Sequence, residues 1–252
     1  MKNFLLTISY DGTDYHGWQR QAGQASIQQK LEEALSELFK CEVTATASGR
    51  TDEGVHALGQ AVSFSCDTTV PAEKIPAALN GLLPPDIRAV NCVETPDGFC
   101  ARRSAKKKTY VYRCYISPTV HPHLDRYALR VDELDTLAME RACEAVVGTH
   151  DFDNFYCLGS SAKTTVRTVY SCNLRKFGGH GITPSTLELE ICGNGFLYKM
   201  VRLIAGALIK VGKGEISPED FAAAVERKTT LRKIPAPSKG LTLVKVEYGD
   251  II

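Results

Sequence analysis

Two successive stretches of this 252-residue chain carry the same order of predicted elements, β-α-β-β-α-β, and few folds accept that order twice. In residues 1–104, Phe4, Leu6, Ile8 and Tyr10 alternate as in a half-buried strand. A helix follows, opened by Ser26 with Gln29 three residues on, the capping-box spacing, and striped by Ile27, Leu31, Leu35 and Leu38. Extended segments around Val43 to Ala47 and Gln60 to Ser65, a short helix after Pro71 bearing Ile75 and Leu79, and a strand at Ile87 to Val93 complete the first set. In residues 105–252, a strand at Lys108 to Ile116 precedes a helix capped by Asp132, with Leu134, Ala138, Ala142 and Ala145 inward and Gly148 closing it. Strands at Val166 to Leu174 and Thr186 to Ile191, a helix from about Leu197 to Val211, a short helix opened by Ser217 and Pro218, and a strand at Leu241 to Tyr248 repeat the order with one helix added.

That order is the split βαβ, or ferredoxin-like, unit, in which two helices cover one face of an antiparallel sheet. The fold class expected is therefore α+β: two such halves, 1–104 and 105–252, joined into one mainly antiparallel sheet with helices on one face and a broad cleft on the other. The repeat is one of pattern, without sequence identity between the halves.

Composition narrows the setting. With 44% hydrophobic and 23% charged residues the chain has enough apolar side chains for a packed core, which excludes a disordered or fibrous protein. Its longest run without Asp, Glu, Lys or Arg, Gly54 to Cys66, is far too short for a membrane span. Phe4 to Ile8 is followed at once by Ser9-Tyr10-Asp11-Gly12, which reads as a strand and not as an export signal, so a cytoplasmic protein starting at Met1 is expected. Nine cysteines never come closer than Cys92 and Cys100, so no CxxC pair suggests zinc, and reduced, mostly buried thiols are expected. Thirty basic against twenty-nine acidic residues leave a net charge of +1, so any nucleic-acid partner must be argued from local patches.

The densest cluster of small and reactive residues runs from Ser48 through Gly49-Arg50-Thr51-Asp52-Glu53-Gly54-Val55-His56-Ala57 to Gly59-Gln60. Arg50 and Asp52, two apart, face the same way if that stretch is extended, and a cation beside a carboxylate favours its ionised form. An ionised aspartate in a cleft can act as nucleophile or base, and an arginine can clamp a phosphate bidentately. The same pattern also fits a surface loop whose Arg and Asp merely pair, with His56 hydrogen-bonded to backbone. Arg102, Arg103, Lys106, Lys107 and Lys108 form the clearest basic cluster, at the entry to a strand bearing Tyr110 and Tyr112 on one face. Such a run is either a solvated face or a phosphate contact, and the tyrosines either sheet packing or a base platform. Trp18, in a Gly-rich turn, reads as structural.

Gly49-Arg50-Thr51-Asp52-x-Gly54-Val55-His56-Ala57 resembles the signature of the tRNA pseudouridine synthase A (TruA) family. Other stretches agree in order and spacing: Tyr10-Asp11-Gly12-Thr13-x-Tyr15-x-Gly17-Trp18-Gln19, Phe99-x-Ala101-Arg102, Tyr110-Val111-Tyr112, His150-Asp151-Phe152, Val166-Arg167-Thr168, Gly195-Phe196-Leu197, Met200-Val201-Arg202, and Pro235-Ala236-Pro237 before Gly240-Leu241. The resemblance covers nearly the whole chain and implies isomerisation of uridine to pseudouridine in the anticodon stem-loop of tRNA, at positions 38 to 40. It implies Asp52 as the essential nucleophile or base and Arg202 as the residue that pairs with its carboxylate. Tyr110 would stack on the uracil, Arg50 would enter the RNA helix where the base leaves or hold the carboxylate, and Arg102 and Lys108 would contact the RNA. It also implies a homodimer without metal or organic cofactor. The chain departs from the family pattern at Glu53, where Ala is usual, at Lys108, where Arg is common, at Lys199, where Asn is frequent, and at Thr242, often Tyr; none touches Asp52, Tyr110 or Arg202.

Two other classes compete. A non-catalytic RNA-binding module uses the same split βαβ unit, but it would carry an aromatic-rich RNP1 strand, which this chain lacks. A metal-free hydrolase using Asp52 and His56 on a small substrate gives no reason for the basic cluster. Attack of Asp52 on C1′ of the ribose, addition to C6 of the uracil and removal of a ribose proton all remain open.

Overall fold

The alternation from Phe4 to Tyr10 builds the first strand, β1 (Lys2–Tyr10), in the computed structural model of the chain, which describes residues 1–159 and 162–249. After it come α1 (Ile27–Phe39), β2 (Thr46–Ala47), β3 (His56–Cys66), α2 (Ile75–Asn80), β4 (Ile87–Thr95) and α3 (Ala101–Ser104). The remainder forms β5 (Lys107–Ile116), α4 (Pro122–Asp125), β6 (Leu129–Val131), α5 (Thr136–Val146), β7 (Gly148–Asp151), β8 (Val166–Phe177), β9 (Thr186–Gly193), α6 (Met200–Gly212), α7 (Pro218–Val225) and β10 (Leu241–Glu247). The fold is α+β, with mostly antiparallel strands, as the element pattern implies. Among the described residues no helix is long and apolar enough to cross a membrane. All nine cysteines are free thiols and five of them are buried.

The chain divides into one unit of Met1–Lys106 with the segment from Thr242, and a second of Lys107–Leu241. The final strand, which chain order puts in the second half, thus counts with the first unit.

In the first unit β1 lies between β3 and β4, antiparallel to both. The far side of β3 takes β2 at one end, where Ala47 faces Val62, and β10 in parallel at the other, where Thr242 faces His56. Phe4, Leu6 and Ile8 are fully buried on one face of β1, as are Ile27, Leu31 and Leu35 of α1, while Leu38 is only half-buried. The other face is covered too: Leu5 and Ala61 pack with Ala101 of α3 and Tyr248. Ser26 caps α1 by accepting from the Gln29 backbone N–H at 3.3 Å, but the Gln29 side chain donates to Glu33 instead of returning to the cap, so only half of the predicted capping box forms.

The strand expected at Val43 to Ala47 shrinks to Thr46–Ala47, for a physical reason. The N–H of Ala45 donates to Glu32 Oε1 at 3.0 Å, its carbonyl accepts from Gln28 Nε2 at 3.2 Å, and the N–H of Val43 donates to Ser36 Oγ at 3.1 Å. Side chains of α1 therefore satisfy backbone groups that would otherwise need a neighbouring strand.

In the second unit β5 pairs antiparallel with β9, β9 with β8, and β8 with the short β7, while β6 runs parallel to the end of β5. Helix α5 packs on β8, α6 on β5, and α5, α6 and α7 on one another. The cap of α5 is Asp135 and not the expected Asp132: its carboxylate accepts from the Ala138 N–H at 2.9 Å, whereas Asp132 lies outside the helix and pairs with Arg130. Leu134 and Met139, both buried, take the positions of a hydrophobic staple around that cap. Asp135→Ala is expected to cost about 1 kcal/mol in a urea melt, and Asp132→Ala almost nothing.

Candidate active site

The loop from Ser48 to Val55 joins β2 to β3, and its shape is imposed from beneath by buried polar groups. The N–H of Ser48 donates to Ala61 O at 2.7 Å and its hydroxyl to Gln60 Oε1 at 2.8 Å. Gln60, fully buried on β3, donates from Nε2 to Gly49 O at 2.9 Å. The hydroxyls of Thr51 and Tyr10 meet at 2.8 Å, and burial pushes the Tyr10 phenol up to about 12 against the lowering pull of Thr51 and Gln60, so it stays neutral at working pH.

The segment after β1 clamps the same loop from the side. Trp18 N–H donates to Thr51 O at 3.0 Å and Gly54 N–H to Tyr15 O at 3.4 Å. Gly12 lies so close to the loop that a Cβ there would sit 2.0 Å from Val55 O. Its N–H donates to His56 Nδ1 at 3.1 Å, so His56, buried on β3, bonds to backbone as one of the two sequence readings holds. The two stretches Tyr10 to Gln19 and Ser48 to Gln60 are thus one structural assembly. Trp18, 2% exposed, belongs to its interior.

Held this way, the loop alternates: Thr51 is buried, Arg50 is exposed and Asp52 is half-buried. Arg50 and Asp52 therefore both keep access to solvent, while Thr51 between them does not. A carboxylate on a fixed backbone with partial solvent access suits nucleophilic or base chemistry. In the same unit, Arg102 and Arg103 are exposed on α3, whose Ala101 is pinned by its N–H donating to Ser63 Oγ at 3.0 Å and by its carbonyl accepting from Tyr248 Oη at 3.0 Å.

The second unit holds the other expected residues. Lys108 and Tyr110 stand on β5 opposite Gly193 and Ile191 of β9, the lysine half-buried and the tyrosine buried. Tyr112, two residues on, packs as a structural residue: its hydroxyl donates to Pro237 O at 2.9 Å, and burial raises its pKa well above the ordinary phenol value. Arg202 lies in the first turn of α6, and its Nε–H donates to Ala236 O at 2.8 Å while the Ala236 N–H returns to Arg202 O at 2.9 Å. This reciprocal pair ties the Pro235-Ala236-Pro237 stretch to the helix and orients the guanidinium. The sequence reading gave Phe196 no role beyond its motif. In the structure its ring meets that of Tyr110 edge-on, centroids 5.3 Å apart and planes at 89°. Among the described residues no group of three or more His, Cys, Asp or Glu is placed to hold a metal ion.

Comparison with known proteins gives this assembly its class. The family model described as tRNA pseudouridine synthase matches residues 6–111 and 142–249. The tRNA pseudouridine synthase A of Caldicellulosiruptor bescii is 43% identical over 250 residues, covering 98% of this chain and all of that protein. Those of Thermoanaerobacter sp. (strain X514) and Ruminiclostridium cellulolyticum are 40% and 39% identical, again over 98% of this chain and their full lengths. A far more distant likeness, to an archaeal box H/ACA sRNP Nop10–Cbf5 complex, has a TM-score of 0.35 at 11% identity, covering 82% of this chain and 44% of that one. The chain belongs to the tRNA pseudouridine synthase A family, a family of isomerases.

Proposed function

We propose that the protein isomerises uridine to pseudouridine in the anticodon stem-loop of tRNA, at positions 38 to 40, with Asp52 as the essential nucleophile or base. The observation that carries this reading is the full-length match to the family together with an Asp52 loop whose backbone is held by Ser48, Gln60, Tyr10 and Trp18. In the reaction the N1–C1′ bond breaks, the uracil turns, a C5–C1′ bond forms, the C5 proton leaves to water, and N1 takes up a proton in its place. The base must first be extruded and held while it is detached. Tyr110 supplies the stacking surface, Arg202 pairs with the Asp52 carboxylate, and Arg50, Arg102 and Lys108 bind the RNA, chiefly its phosphates. Adjacent target sites call for recognition by backbone and shape, to which exposed Arg50 and Arg102 are suited. The protein works as a cytoplasmic homodimer, with no metal or organic cofactor.

The test is release of tritium to water from unmodified tRNA labelled at uridine C5, comparing the protein with its Asp52→Ala variant. Release by the first and none by the second is the expected result. A folded protein that binds tRNA and releases nothing would overturn the proposal in favour of a binding module. In the same assay Arg202→Ala is expected to lower single-turnover release on the order of a hundredfold, because it leaves the carboxylate without its partner. An unchanged rate would remove that role.

A further inference from the structure

Tyr110 is fixed at its Cα by the β5–β9 pairing with Ile191, but strand pairing leaves the ring's own rotation to its neighbours. One such neighbour is Phe196, whose plane stands at 89° to that of Tyr110 with centroids 5.3 Å apart. In that arrangement the positive edge of one ring meets the negative face of the other, so rotating Tyr110 about its ring axis loses the contact or drives the rings together.

Phe196 is itself held on both sides. Asn194 N–H donates to Thr168 O at 2.9 Å, and Thr168 N–H donates to Asn194 Oδ1 at 3.0 Å, a closed pair of bonds that ties the loop after β9 to β8. On the other side Leu197 is buried and its carbonyl accepts from Met200 N–H at 3.0 Å, which joins the loop to the start of α6. Gly193 leaves room for the ring: a Cβ there would lie 3.2 Å from Phe196 Cζ and 2.8 Å from Thr168 O. A half-buried aromatic ring on a loop tied at both ends has a fixed place, and that place is against Tyr110.

We infer that Phe196 is a positioning residue that sets the tilt of the Tyr110 ring and, through it, the plane of the extruded uracil. The inference rests on the proposed stacking role of Tyr110. Phe196 acts through Tyr110 and not on the substrate, so it governs the rate after binding and leaves tRNA affinity unchanged.

The experiment is a cycle of variants: Phe196→Leu, Phe196→Met, Phe196→Tyr, Tyr110→Ala and the double variant Tyr110→Ala with Phe196→Leu. Each is read by single-turnover tritium release, by tRNA Kd and by a thermal melt. Phe196→Leu and Phe196→Met are expected to slow release about three- to tenfold at unchanged Kd, the range that an aromatic pair supplies. Phe196→Tyr, which keeps the ring, is expected to restore the rate. In the Tyr110→Ala background Phe196→Leu is expected to add nothing further. Wild-type rates in the Leu and Met variants, or the same fold loss in both backgrounds, would overturn the inference. A slow Tyr110→Ala beside wild-type Phe196 variants removes the inference alone, whereas Tyr110→Ala at the wild-type rate removes the stacking role and the inference with it.

Discussion

Asp52→Asn is expected to abolish turnover, by a factor on the order of 10⁴ or more in single-turnover tritium release, while the protein still folds. The substitution keeps size and shape and removes the charge, so it separates chemistry from architecture. The hydrogen bonds that hold the loop include Ser48 to Gln60 and Ala61, Gly49 to Gln60, Thr51 to Tyr10 and Trp18, and the Asp52 carbonyl oxygen accepting from Val55 N–H at 3.2 Å. An amide in place of the carboxylate leaves each of those bonds available. All three routes to pseudouridine need an ionised group at this position, so the expected loss does not depend on which route operates. Turnover of Asp52→Asn at the normal rate would defeat the assignment.

Gly12→Ala is the second large effect, and it tests the frame beneath the loop and not the reacting group. The added Cβ would lie 2.0 Å from Val55 O, 2.7 Å from its carbonyl carbon and 3.2 Å from its nitrogen. All three are backbone atoms, so no side-chain rotation relieves the overlap. Either the segment after β1 or the loop bearing Asp52 must shift. Overpacking of this kind costs about 1–3 kcal/mol, and a displacement near 1 Å at a reacting group costs on the order of a hundredfold in rate. A denaturant melt and the tritium assay are expected to show both losses together. Gly23→Ala is the control: Gly23, unlike Gly12, lies in the left-handed region, φ +75, but its Cβ meets nothing within 4 Å, so only the backbone strain of about 1 kcal/mol is expected, with turnover unaffected. Equal activity losses in the two variants would refute the frame's role.

The elements that follow from near neighbours were legible in the residues. The stripe of Ile27, Leu31 and Leu35 is buried as its spacing demands, and Ser26 caps that helix. The loop bearing Asp52 was legible as a motif, and in it the buried Thr51 stands between the exposed Arg50 and the half-buried Asp52. What was misjudged lies where two local solutions are nearly equal. Asp132 and Asp135 are both good N-caps, and the choice fell to Asp135, where the buried Leu134 and Met139 flank the cap as a staple. Gln29 had a return partner at the cap but found Glu33 one turn on. The short elements α3, α4, β6 and β7 carry too few residues for a period to be read.

Helix spacing and the motif around Asp52 are properties of residues a few positions apart, and for these the chain's own order was sufficient. Pairings across long separations were not contained in any local pattern. Glu32 taking the N–H of Ala45, Tyr10 meeting Thr51, β10 running parallel to β3, and Phe196 standing edge-on to Tyr110 join residues from 13 to 186 positions apart, the longest being His56 with Thr242. Such contacts form only when buried polar groups must find partners and apolar faces must be covered at once, so tertiary packing decided them.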